Sequence, residues 1–204
     1  VRLFLKGFIG GTMLVLYVHS VNALLGYACL GSRPVLPSSS NHTALLLKTY
    51  GLMLVQTLKG VTTATFIAMV EELLFRSWLP EEITVDLGYY PSIIISGILF
   101  SLLQRSFASI PAFLFLSLAL FGAKQRGDGT LFLPIGIRTG IITTNFVVQT
   151  GGFLYYKSAT PFWLASIHPS RPFDGIVGLG INILIAVLLF PRRPTPEKGT
   201  PRSK

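Results

Sequence analysis

Glu71, Glu72 and Arg76 stand within VEELLFRSWLPEEI (70–83), at the end of a long apolar stretch. An ionised residue at the centre of a spanning helix costs about 2.5–3.5 kcal/mol on insertion scales, so those that persist face a bundle interior and carry partners. On a helix Glu72 and Arg76 are four apart and share a face, where the pair partly neutralises itself. Glu71 is turned by about 100° from Glu72 and cannot share that arginine equally. It must find another donor, face water or take up a proton. A carboxylate poised in that way can act as a general base on water. The reading without chemistry places all three at the membrane surface, marking the end of a helix where PEEITVD begins.

Two further stretches bear on the choice. Phe100-Ser-Leu-Leu-Gln104 puts a side-chain amide four residues after an aromatic, and LPIGIRTGIITTNF (133–146) carries Arg138 and Asn145 on nearly one helix face, seven residues apart. With Glu71-Glu72-Leu-Leu-Phe-Arg76, their order and spacing resemble the three motifs of the CPBP family. That family groups type II CAAX prenyl endopeptidases with bacteriocin-processing, self-immunity and lysostaphin resistance protein A-like proteins, all multi-helix intramembrane proteins. The resemblance covers roughly Thr63 to Phe190. It departs from the family at both motif histidines. Gln104 stands at the first, Arg138 at the second, and Ile142 where Asn or Asp would follow, with Asn145 as the nearest stand-in for that amide. The Gln and Arg variants resemble those of plant plastid members.

The resemblance implies paired glutamates that activate water, with the histidines and the asparagine positioning it, binding a metal or stabilising the oxyanion. One expectation is therefore an intramembrane endopeptidase in which Glu71 or Glu72 is the base, Arg76 orients it, and Gln104 with Asn145 donates to the oxyanion. Its substrate would be a membrane protein or a prenylated peptide. The departures weaken those roles, since glutamine cannot shuttle a proton near neutral pH and its amide is a poor metal ligand beside imidazole. Arginine stays charged and cannot bind a metal cation. Neither metal nor cofactor is expected, and His19, His42 and His168 read as ordinary residues of helix one and two loops. The alternative is a catalytically degenerate member acting as scaffold, assembly factor or structural subunit of a membrane complex, in which Arg138 forms a bidentate pair with Glu71 or Glu72. A transporter is the third reading, ranked last because no pair of Gly- or Pro-interrupted segments repeats symmetrically.

The elements that must hold these residues are membrane helices. Of 204 residues, 50% are hydrophobic and only 12% charged, with a mean hydropathy of +0.62. Soluble domains carry about 25% charged residues. The fold class is all-α, a polytopic transmembrane bundle of about six helices: Gly7–Leu30, Ala44–Leu79, Pro91–Gln104, Pro111–Ala123, Leu131–Gln149 and Gly175–Phe190. A break near Gly60 would raise the count to seven or eight segments. Residues 1–190 form one membrane domain, and the Pro-rich basic tail 191–204 is expected to be disordered. Loops fall at 31–41 and 151–172, with a tight turn at Asp128-Gly129.

The formal charge of +9 is dispersed, with no basic stripe interleaved with aromatics, which excludes a nucleic-acid binder. It reads as topology, with membrane lipid as the surrounding partner. Loop cations on the side of both termini number nine, against four opposite, which places the termini in the cytoplasm or the stroma. A start at Val1 without methionine fits a removed transit peptide, and hence a chloroplast envelope or thylakoid protein. Gly7 and Gly11 read as a close-packing pair rather than a dimer motif. Cys29 reads as a small buried hydrophobe, and Asn41-His42-Thr43 as a chance glycosylation sequon.

Overall fold

The computed structural model describes residues 1–31, 42–104, 107–157, 163 and 171–190. The expected tail 191–204, His168, Asn41 and most of the first loop lie outside these residues. Within them the chain forms six continuous helical segments and one short hairpin of distant strands. Helix α1 spans Arg2–Leu24, and β1 follows at Ala28–Leu30. Helix α2, His42–Leu73, passes through a π turn, Leu74–Trp78, into α3, Leu79–Leu87, without interruption. Then come α4 (Tyr89–Leu103), a 3-10 turn (Phe107–Ser109) leading into α5 (Ile110–Arg126), α6 (Phe132–Thr150), β2 (Leu154–Tyr156) and α7 (Ile176–Leu188). The architecture is an all-α membrane bundle.

Among the described residues, three segments are long and apolar enough to cross a bilayer: Arg2–Leu24, Tyr50–Leu87 and Phe107–Arg126. Helices α4 and α7 are apolar but shorter. Helix α6 is long enough at 19 residues, yet it buries Arg138, Thr139, Thr143 and Thr144 inside the bundle, and these polar groups lower its hydropathy. Large apolar side chains such as Leu54, Leu58, Phe66 and Val70 stay exposed along α2. On a membrane helix such exposure is the ordinary consequence of lipid as solvent.

Helix α6 is the centre of the packing, with α1 on one side and α2 on another, while α5 packs on α4 and α7. The α1–α6 contact is backbone on backbone. A Cβ at Gly11 would lie 2.0 Å from the Ile137 carbonyl oxygen, and one at Gly140 would lie 2.3 Å from that of Phe8. Gly7 and Gly136 oppose their neighbours as closely, so small residues four apart on both helices make one seam. Val15 and Val18 of α1 close the core against Leu116 and Leu120 of α5 and Phe173.

Four sequence expectations change. Helix one ends at Leu24 rather than Leu30, because Gly26 (φ 77°) turns the chain and Ala28–Leu30 pair antiparallel with Leu154–Tyr156. Three-residue strands are too short for alternation to stand out from an apolar run. Cys29 is consequently exposed on β1, not a buried hydrophobe. The second helix does not break at Gly60, whose missing side chain makes room for the Phe146 ring. His42 opens α2 instead of lying in a loop.

The seam makes a direct prediction. Gly11→Ala or Gly140→Ala must force α1 and α6 apart, with a stability loss of at least about 1–3 kcal/mol. Gly10→Ala, where a Cβ meets nothing within 4 Å, should leave the melting temperature of the detergent-solubilised protein unchanged.

Candidate functional site

Glu71 and Glu72 lie on the last turn of α2, and Arg76 lies in the π turn that follows. A π turn inserts one extra residue, so carbonyls around it lose their helical donors and need others. Those donors arrive from two neighbouring helices. Ser96 Oγ of α4 donates to the Phe75 carbonyl, and Lys124 Nζ of α5 donates to the Arg76 carbonyl at 2.7 Å. The helix does not end at the charges, as a surface placement would require. It runs on to Leu87, and Arg76 is 1% exposed.

Glu72 is wholly buried and faces Arg76, with Nη1 at 3.2 Å from Oε1. The N–H vectors are misaligned, so neither side chain completes a hydrogen bond within the described residues. The contact is a charge pairing without directed bonds. The Arg76 guanidinium carbon also lies over the Phe100 ring, 3.8 Å from its centroid, which gives the cation a π face in place of water.

Glu71 takes a different arginine. Arg138 of α6 donates through Nε to Glu71 Oε2 at 2.6 Å and through Nη2 to Oε1 at 3.2 Å, a fork-to-fork clamp. The same Nη2 donates to Gln104 Oε1 at 2.8 Å, so three helices converge on one guanidinium. Phe100 is in cation–π range of both cations, with its centroid 5.2 Å from Arg138 Cζ, and Phe113 adds a second ring at 5.5 Å. Two carboxylates and two guanidiniums therefore form a neutral cluster against two aromatic rings.

A cavity of about 360 Å³ opens beside this cluster, lined by Gln104, Phe113, Arg138, Asn145, Arg171 and Phe173 among others. Asn145 shares it with Gln104 and Arg138, but its Oδ1 is buried with no partner among the described residues. Neither Glu71 nor Glu72 lines it. The structure thus joins Glu71, Glu72, Arg76, Gln104 and Arg138 into one network and leaves Asn145 beside it. A divalent metal does not fit this donor set. Both Glu71 oxygens are taken by a guanidinium, Glu72 faces another, and no group of three His, Cys, Asp or Glu gathers among the described residues. His19 is elsewhere, bonded to the Tyr156 hydroxyl at 2.8 Å.

Sequence reasoning missed Ser96, Lys124 and the cation–π role of Phe100 and Phe113. Phe100 was visible as the aromatic of its motif, though its cation–π contacts were not. Ser96 carried no signal, because a serine in a membrane helix usually bonds its own i−4 carbonyl. Lys124 read as a loop cation of the topology count.

The family model described as type II CAAX prenyl endopeptidase Rce1-like matches residues 53–154. That span holds all six of the residues singled out above. No curated protein and no solved structure matches the chain.

The clamp has a measurable energy. Arg138→Leu strands the Glu71 carboxylate, and the thermal stability of the purified protein should fall by about 3–5 kcal/mol. Adding Glu71→Leu removes the stranded charge and should restore much of that loss. An unchanged melting point in the single variant would show that Glu71 is not held by Arg138.

Proposed function

The chain belongs to the type II CAAX prenyl endopeptidase Rce1-like family, and from that premise we propose that it is a member whose hydrolytic centre has become a charge-closed core. The protein is an integral membrane protein of a family of intramembrane CAAX-type proteases. In our reading it no longer cuts peptides. It keeps the fold as a scaffold or assembly factor for a membrane complex, with its termini on the stromal or cytoplasmic side of a plastid membrane.

One observation carries this reading. The cavity beside the cluster is lined by Gln104, Arg138 and Asn145, whereas Glu71 and Glu72 each face an arginine and neither reaches that cavity. A general base must come within about 2.6–3.2 Å of the water it activates. Gln104 and Arg138, at the positions of the family's histidines, offer no group that transfers protons near neutral pH. What these residues retain is binding capacity: an amide and a cation at the floor of a cavity with aromatic walls.

A second reading keeps hydrolysis, favoured by the 14% exposure of the Glu71 side chain and the unpaired Asn145 Oδ1. Arg138 could swing to Asn145 when substrate enters, releasing Glu71 as the base while Gln104 donates to the oxyanion.

Cleavage of a farnesylated tetrapeptide-tailed substrate in proteoliposomes separates the two. We expect background cleavage from the native chain and from Glu71→Gln and Glu72→Gln alike. Cleavage by the native chain that either substitution abolishes would establish the peptidase instead.

A further inference from the structure

Apart from the charged centre, α1, α6 and β2 border a second cavity of about 620 Å³, walled by apolar side chains such as Phe8, Leu16, Val147 and Phe153. It opens between helices on a protein whose surroundings are lipid. Five polar side chains interrupt its lining: Thr12, His19, Ser20, Thr143 and Thr144. Thr12 Oγ1, His19 Nε2 and Thr143 Oγ1 are all buried without a hydrogen-bond partner among the described residues. His19 is 3% exposed and Thr143 5%. Ser20 also lines the cavity, but its hydroxyl already donates to the Leu16 carbonyl at 2.8 Å.

The state of His19 follows from its neighbours. Asn22 Nδ2 donates to the Tyr156 hydroxyl at 3.3 Å, and that hydroxyl lies 2.8 Å from His19 Nδ1. With the Asn22 amide oriented in this way, the arrangement that uses both the acceptor and the donor capacity of the hydroxyl sends its hydrogen to Nδ1 and leaves the ring proton on Nε2. Nε2–H is then a donor with no acceptor, in a place where water cannot serve it. Hydrocarbon offers none either, so an unpaired donor there is costly. Threonine hydroxyls can donate or accept, which leaves the nitrogen as the group that selects the ligand.

We propose that this cavity is a binding site for a lipid-phase amphiphile, a long apolar chain that carries a carbonyl oxygen. The chain lies along Phe8, Leu16, Val147 and Phe153. The carbonyl accepts from His19 Nε2, with the Thr12 and Thr143 hydroxyls beside it. Two sources carry that chemistry, the acyl ester of a glycerolipid and the ring carbonyl of an alkylated quinone. The proposal does not depend on whether the charged centre hydrolyses anything.

The test uses the full chain, delipidated in detergent and offered dioleoylphosphatidylcholine, decylubiquinone or squalene, with retention read by native mass spectrometry. Retention of one carbonyl probe at least tenfold above squalene is expected, and which probe wins identifies the source. His19→Phe should abolish that preference, and His19→Gln, which keeps a donor, should recover part of it. Should His19→Phe fail to fold, Thr143→Val is expected to lower retention severalfold. The site is overturned if squalene is retained as well as both carbonyl probes, if none is retained, or if a folded His19→Phe keeps the native preference.

Discussion

Everything around the centre of this bundle answers one electrostatic constraint: two adjacent carboxylates, placed where water is scarce, must each meet a positive charge. Neighbouring residues on a helix point about 100° apart, so one arginine cannot serve both. The chain meets the constraint with one local cation and one distant one. Arg76 neutralises Glu72 from within the same helical segment, and Arg138 reaches Glu71 from α6. Two guanidiniums in one cluster repel each other, and the Phe100 ring offers its π face within 3.8 Å of Arg76 Cζ and 5.2 Å of Arg138 Cζ. The aromatic of the second motif thus serves the charge balance of the first and third.

The π turn belongs to the same solution. It places Arg76 beneath Glu72 but releases carbonyls that a regular helix would satisfy, and α4 and α5 supply the missing donors through Ser96 and Lys124. Charge pairing, backbone satisfaction and helix packing are consequently coupled at one point. A change to any one of them is felt by the others, which is why buried polar networks specify an arrangement more sharply than apolar packing does.

How legible this was in the sequence depends on the range of the interaction. Glu72 with Arg76 could be read from spacing alone, and the Gly7–Gly11 seam from its small-residue pattern. The partner of Glu71 was legible only by charge accounting, since Arg138 is 67 residues away and nothing local marks it. The π turn had no signature, because the residues of Leu74–Trp78 suit an ordinary helix equally well. The hairpin was hidden for the opposite reason: Ala28–Leu30 continue an apolar run, and only pairing with Leu154–Tyr156 makes them a strand. Cys29 followed that error onto the surface.

Helix α6 explains how one short chain can keep these demands apart. Gly136, Gly140 and Thr143 fall on one face, toward α1, while Arg138 and Asn145 fall about 200° and 180° around from Gly136. The glycine face makes a rigid contact in which backbone meets backbone. The opposite face carries the cation and the amide that define the central cavity. Rigidity on one side is what lets the other hold a guanidinium at hydrogen-bond range from a carboxylate on α2. A looser α1–α6 seam would let Arg138 drift, and an ion pair in low dielectric weakens steeply once its N–H vectors no longer meet the oxygens. The tight packing of small residues on one face is therefore the mechanical condition for the charge closure on the other.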